Sequence, residues 1–142
     1  MCMRVLLDTS FLLPIVGVRV AEISDSTLRK LWDLYRSGEV ELYYTDFNLI
    51  EVTWKLSKLS YDSFVVETGL RSIERNMLKA QPKPLSVLKA LELRRKGFRD
   101  MIDLLLYRTA KDNELNFLTC DTTLIKFLES VGEDTSMVIT SL

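Results

Sequence analysis

The chain predicts an α/β fold, a three-layer α/β/α sandwich with a central, mainly parallel sheet. Two observations carry that expectation. Short apolar, β-rich segments alternate with segments of helical period from one end of the sequence to the other. No internal repeat, low-complexity tract or linker interrupts the alternation, so residues 1–142 read as a single domain of a length that suits one sizeable core.

The elements follow in order. Val5 to Leu7 reads as a short buried strand. "STLRKLWDLYRSG" places apolar residues at 28, 31, 32 and 35, the helical period, with Gly38 as the stop. "VELYYT", residues 40 to 45, is β-branched and aromatic and reads as a second strand. Thr45 or Asp46 caps the next helix, to which Phe47, Leu49, Ile50, Trp54 and Leu56 supply apolar contacts. Another helix runs from Tyr61 to about Lys79, with Val66, Leu70, Ile73 and Met77 on one stripe. "QPKPL" breaks it, because two prolines cannot continue a helix, and a short extended piece is expected around Leu85. Helices follow from about Val87 to Lys96 and from about Asp100 to Asp112, with a break at Gly97. "LNFLT" is a third clear strand, "TTLIKFLES" a short helix ending near Gly132, and "MVIT" the last strand.

Composition narrows the chemistry. Histidine is absent, which removes Ser-His-Asp and Cys-His catalysis and every zinc site that needs imidazole. Cys2 and Cys120 are too few for a disulfide framework and lack metal-site spacing. Acids, bases and metal ligands must come mainly from carboxylates. No apolar run approaches the ~18 residues of a membrane span, and no signal-peptide pattern opens the chain, so a cytoplasmic protein with no membrane partner is expected. Charge is unevenly spread. Residues 71 to 99 hold nine Lys/Arg against Glu74 and Glu92, a net +7 in a chain of net −1, which leaves −8 for the rest. A cationic stretch beside an anionic remainder suggests a cation site next to a polyanion-binding surface.

The acids have a pattern. Asp8 follows the first strand directly, and Asp121 follows "NFLTC" in the same way. In parallel sheets, sites form beyond the carboxyl ends of the strands. Glu51 lies inside the apolar phrase "FNLIEVTWKL", and Asp103 lies in "RDMIDLLLYRTA", with Asp100 one helical turn before it. Each has a structural explanation taken singly: a turn for Asp8, a helix cap for Asp100, Asp103 or Asp121. Together they form a set of carboxylates embedded among apolar residues. Clustered carboxylates raise each other's pKa, and a divalent cation reverses that penalty. Oxygen-only ligands suit Mg²⁺ or Mn²⁺ and support phosphodiester hydrolysis.

These residues carry a resemblance. "VLLDTSFLL", "NLIEV", "DLLLYRTA" and "FLTCDTTL" resemble, in order and spacing across almost the whole chain, the four motifs of the PIN domain family. The resemblance implies an α/β/α fold and a Mg²⁺- or Mn²⁺-dependent endoribonuclease, with the small single-domain members being VapC-like toxins paired with an antitoxin. By motif position it implies Asp8, Glu51, Asp103 and Asp121 as the acidic quartet, with Asp8, Asp103 and Asp121 binding the metal and Glu51 acting as a ligand or as a base through a water. Ser10 would orient a carboxylate or a metal-bound water, and Thr119 matches the polar residue before the last acid. Asp100 competes with Asp103 for the third acidic place; Asp103 is preferred because "DLLLYRTA" keeps the spacing to Ala110. On this reading Arg94, Arg95, Lys96 and Arg99 contact RNA phosphates, and a homodimer is expected.

Two other classes compete with the nuclease. A dehalogenase-like phosphatase needs a second aspartate two residues after Asp8, where Ser10 stands, and no Gly-rich phosphate loop exists for a nucleotide-dependent enzyme. The non-enzymatic alternative is a PIN-like module that binds RNA or protein without cutting.

Overall fold

Side chains on successive strand residues point to opposite faces, and here both faces are apolar, as expected for a sheet covered on both sides. The structure, a computed structural model, describes residues 2–142. Five strands, β1 (Met3–Leu7), β2 (Val40–Tyr44), β3 (Leu78–Lys79), β4 (Asn116–Leu118) and β5 (Val138–Ile139), form one sheet in the order β3-β2-β1-β4-β5. Every pairing is parallel. Val5 and Leu7 of β1 enter one core with Leu42 and Leu118, while Leu6 enters the other with Phe117.

The helices divide accordingly. α1 (Thr9–Leu12) runs into a 3₁₀ turn at Leu13–Val16, and with α2 (Asp25–Arg36), α3 (Asp46–Leu56) and α4 (Ser63–Asn76) it covers the Val5 face. α5 (Pro84–Arg95), α6 (Met101–Asp112) and α7 (Thr122–Ser130) cover the Leu6 face. This is the three-layer α/β/α sandwich. α6 lies deepest: its residues 103 to 110 are all buried, packed between α5, α3 and β4. No helix among the described residues is long and apolar enough to cross a membrane.

Several details differ from the sequence reading. The extended piece expected near Leu85 lies earlier, at Leu78–Lys79, where Ala80 N–H donates to the Tyr44 carbonyl. The preceding helix therefore ends at Asn76, because the chain leaves it to join the sheet edge. Pro84 opens α5 instead of preceding it, since proline at the first helical turn loses no hydrogen bond. The segment 9 to 16, to which the sequence reading gave no element, is helical. On α3 the buried positions are Asn48, Val52 and Leu56, a single stripe, while Ile50 and Trp54 fall outside that stripe and are 59% and 64% exposed.

α4 packs on the 3₁₀ turn through Gly69, which takes the buried place expected for Leu70. A Cβ on Gly69 would stand 2.2 Å from the Ile15 carbonyl oxygen, a backbone atom that no rotamer change moves. The same contact seats Gly17, whose φ of +89° lies in the left-handed region and whose Cβ would meet Val65 Cγ1 at 2.7 Å. Gly69→Ala is expected to cost about 1–3 kcal/mol of stability despite the better helix propensity of alanine. Urea unfolding checks this; an unchanged midpoint contradicts the packing described.

Candidate active site

Strand order reverses at β1, whose two neighbours, β2 and β4, are reached by different crossovers. Such a switch point opens a crevice beyond the carboxyl ends of the strands. Asp8 stands there. Its N–H donates to the Leu118 carbonyl (2.9 Å), which carries the β1–β4 pairing one residue past the strand. Asp8 occupies the N-cap position of α1, yet its side chain makes no capping hydrogen bond. It accepts instead from the Thr119 hydroxyl (Oγ1 to Oδ2, 2.7 Å), and Thr119 Oγ1 in turn accepts from Asp121 N–H at 3.0 Å. Thr119, wholly buried, thus couples the two strand-end aspartates.

Glu51 reaches the crevice through a residue that the sequence reading passed over. Asn48 lies in the first turn of α3 and is fully buried. Its Oδ1 accepts from Thr45 N–H and hydroxyl, and its Nδ2 donates to the Leu7 carbonyl (3.1 Å) and to Thr9 Oγ1 (3.0 Å). The start of α3 is thereby tied to the end of β1, and Glu51 follows one turn later. Asparagine at that position, beside a Thr cap and an apolar strand end, was the available signal.

α6 brings the remaining acids. Asp100 caps it, accepting from Asp103 N–H at 3.2 Å, and Asp121 caps α7, accepting from Leu124 N–H at 3.0 Å. Each cap occupies one carboxylate oxygen. Asp103 is 8% exposed, and its carboxylate receives no hydrogen bond among the described residues. Carboxylate oxygens of Glu51, Asp100 and Asp103 lie within 4.8 Å of one another. Asp8, Ser10, Glu51, Asp100, Asp103 and Asp121 all line one cleft of about 890 Å³. The structure therefore brings the expected acids together with Ser10, and Thr119 lies beneath them. Arg94, Arg95, Lys96 and Arg99 are exposed and line no part of this cleft. The cations that do line it are Arg19, Lys55 and Lys58, none of which the charge pattern along the chain singled out. Glu22 and Cys120 complete the polar lining.

The electrostatics are those of an uncompensated cluster. Burial, with the charges of Asp8, Asp100, Glu51 and Asp121, pushes the Asp103 carboxyl up to about 9. Burial pushes Asp8 up to about 6, against the lowering effect of the Thr119 hydrogen bond. No ion pair among the described residues engages an acid of the cleft. An all-oxygen donor set short of positive charge fits a hard divalent cation such as Mg²⁺ or Mn²⁺.

Both raised values mean that the folded chain binds these protons more tightly than the unfolded chain does. The contribution of these two groups to stability in EDTA is full below the ordinary carboxylate value of 3.8 and is lost as pH rises, through about 6 for Asp8 and about 9 for Asp103. Asp103→Asn is expected to flatten the decline above about pH 6. Urea midpoints across this range check it; a wild-type profile that rises with pH, or a variant profile as steep as wild type, contradicts the assignment.

Comparisons with known proteins agree with this architecture. Among solved structures, VapBC2 from Rickettsia felis, crystallised with a DNA fragment from its promoter, superposes with a TM-score of 0.67 at 19% identity, covering 96% of each chain. Mycobacterium tuberculosis VapC20, a sarcin-ricin loop cleaving toxin, gives 0.65 at 14%, covering 92% of this chain and 97% of that one. FitAcB from Neisseria gonorrhoeae gives 0.56 at 14%, covering 88% and 93%. At these identities the likeness is one of fold. A search of curated proteins found no match. The sequence profile of the PIN domain matches residues 5–128, from within β1 to within α7, and the chain belongs to the PIN domain family.

Proposed function

We propose that the chain is a metal-dependent endoribonuclease that hydrolyses phosphodiester bonds, and that it is the toxin of a toxin–antitoxin pair acting in the cytoplasm. The observation that carries the reading is the carboxylate cluster at the switch point, whose acids form no ion pair among the described residues and in which burial and like charges push the Asp103 carboxyl up to about 9. In this reading Asp8, Asp103, Asp121 and Glu51 hold Mg²⁺ or Mn²⁺. When bound, the ion lowers the pKa of water and neutralises charge on a phosphate.

The chain's own residues account for the rest. Thr119 fixes the rotamer of Asp8 by donating to one carboxylate oxygen, leaving the other free. Asn48 keeps Glu51 at a set distance from β1 by donating to the Leu7 carbonyl at the strand's end and to the Thr9 hydroxyl at the start of α1. Asp100 and Asp121 each lose one oxygen to a helix cap, which orients the second. Ser10, at the cleft wall, orients a carboxylate or a water. Arg94, Arg95, Lys96 and Arg99, on the segment that leads into Asp100, contact phosphates farther along the strand. The toxin role is supported by likeness in fold to VapBC2 and VapC20. Exposed apolar residues on α3 and α4, with Trp54 at 64% and Phe64 at 74%, supply surface for an antitoxin and for a second copy of the chain.

Purified protein is expected to cleave RNA in Mg²⁺ or Mn²⁺ and not in EDTA. Asp8→Asn and Asp103→Asn are expected to lose at least ~100-fold in rate with the fold intact by circular dichroism. Asp100→Asn is expected to lose less than ~10-fold, since asparagine still caps α6 and Asp100 is the exposed member of the cluster. Gel assays on structured and single-stranded RNA check all three. Full activity of Asp8→Asn sinks the metal assignment, and an inactive Asp100→Asn with an active Asp103→Asn moves the third acid to Asp100. RNA retained without cleavage in every metal favours the binding module.

A further inference from the structure

Three cations share the acidic cleft without pairing to it. Arg19, from the loop between the 3₁₀ turn and α2, lines the cleft with Lys55 of α3 and Lys58 of the turn after it. Glu51 and Lys55 stand four residues apart with the glutamate first, the order that favours a helical ion pair. They make none within 4.0 Å, and neither Arg19 nor Lys58 is ion-paired among the described residues. Positive groups that lie in a cleft of carboxylates and remain apart from them are free to take an anionic ligand. Lys58 is also held: its Nζ stands 4.8 Å from the centre of the Trp54 ring. That contact gives Trp54, 64% exposed and outside the lining of the cleft, a role beyond packing.

We propose that Arg19, Lys55 and Lys58 form the phosphate-binding wall of the cleft, and that Trp54 is a positioning residue for Lys58. The proposal rests on the ribonuclease reading, with RNA as the polyanion. Cleft and wall divide the work. The carboxylates serve the bond to be broken, and the wall holds the strand beside it. The wall stands at the acids, whereas the cations at 94 to 99 line no part of the cleft. The wall therefore contributes more to affinity than they do. Uniform binding of this kind lowers KM and leaves kcat unchanged.

The test separates this proposal from the reading it rests on. Binding of a fluorescein-labelled single-stranded RNA is measured by anisotropy in Ca²⁺ over a range of salt, and cleavage is measured separately in Mn²⁺. The variant Arg19→Gln/Lys55→Gln/Lys58→Gln is compared with Arg94→Ala/Arg95→Ala/Lys96→Ala. Loss of three phosphate contacts on a single strand is expected to lower the log–log salt slope by about 2, with a smaller change in the second variant. In Mn²⁺ the first variant is expected to raise KM with kcat unchanged. Trp54→Ala is expected to weaken binding in wild type and to have no effect in Lys58→Gln, with Trp54→Phe restoring most of the loss. An unchanged slope in the first variant, a larger drop in the second, or no RNA binding by wild type overturns the wall. Equal effects of Trp54→Ala in both backgrounds overturn its positioning role. Salt-dependent binding lost in the first variant, without cleavage by wild type, refutes the nuclease and leaves the wall standing.

Discussion

The site depends on the hydrogen bond between Thr119 and Asp8 at the place where strand order reverses. Thr119 is the residue after β4, and Asp8 the residue after β1; the N–H of Asp8 and the hydroxyl of Thr119 close the pairing of those two strands beyond their ends. Once they are set, the caps of α1 and α7 are set with them, since Asp8 and Asp121 are the N-cap residues. Asn48 adds α3 by bonding to the same strand end. Only α6 arrives independently, by packing against α3 and α5, and it delivers Asp103 into a position the other elements have already charged.

The two ends of α6 form an internal comparison. Near its C-terminus, Arg108 is 6% exposed and pairs with Asp112 at 2.6 Å; Asp112 also accepts from Ser86 of α5. Glu133 joins them, accepting from the Tyr107 hydroxyl at 2.7 Å and facing Arg108 and Lys111. Burial alone would raise Glu133, yet Tyr107, Lys111 and Arg108 hold its carboxyl below the usual range. That is how a buried charge is carried when its role is structural: opposite charge and donors surround it. At the N-terminal end Asp103 has like charges as neighbours and no donor. The fold pairs the charges at one end of the helix and leaves those at the other without ion pairs, and that unpaired end is where the proposed cation would bind.

Much of this was legible before the fold. Asp8 and Asp121 were readable from position alone, because each follows a short apolar strand and parallel sheets gather such ends. That Glu51 and Asp103 meet them was not, because it depends on α3 packing against α6, a contact between segments 52 positions apart that no local pattern encodes. The cleft's own cations were missed for a related reason. Lys55 and Lys58 are scattered singly among apolar residues, while the dense run from 71 to 99 dominated the charge pattern along the chain. Charge summed along the chain is not charge summed in space. Ile50 and Trp54 were expected to pack because they are apolar, but on α3 the helical phase is set by Asn48, Val52 and Leu56. The strand at Leu78–Lys79 escaped because two residues at a sheet edge carry too little pattern to be read.

The central claim is that the carboxylates at the β1–β4 switch point are a divalent-metal centre. Crystals soaked in Mn²⁺ and measured at the manganese absorption edge test it most directly. The account predicts an anomalous peak among Asp8, Glu51, Asp103 and Asp121, absent from crystals of Asp103→Asn. A peak elsewhere with that cluster empty, or a cluster that binds no manganese at neutral pH while the protein still cleaves RNA, would contradict it.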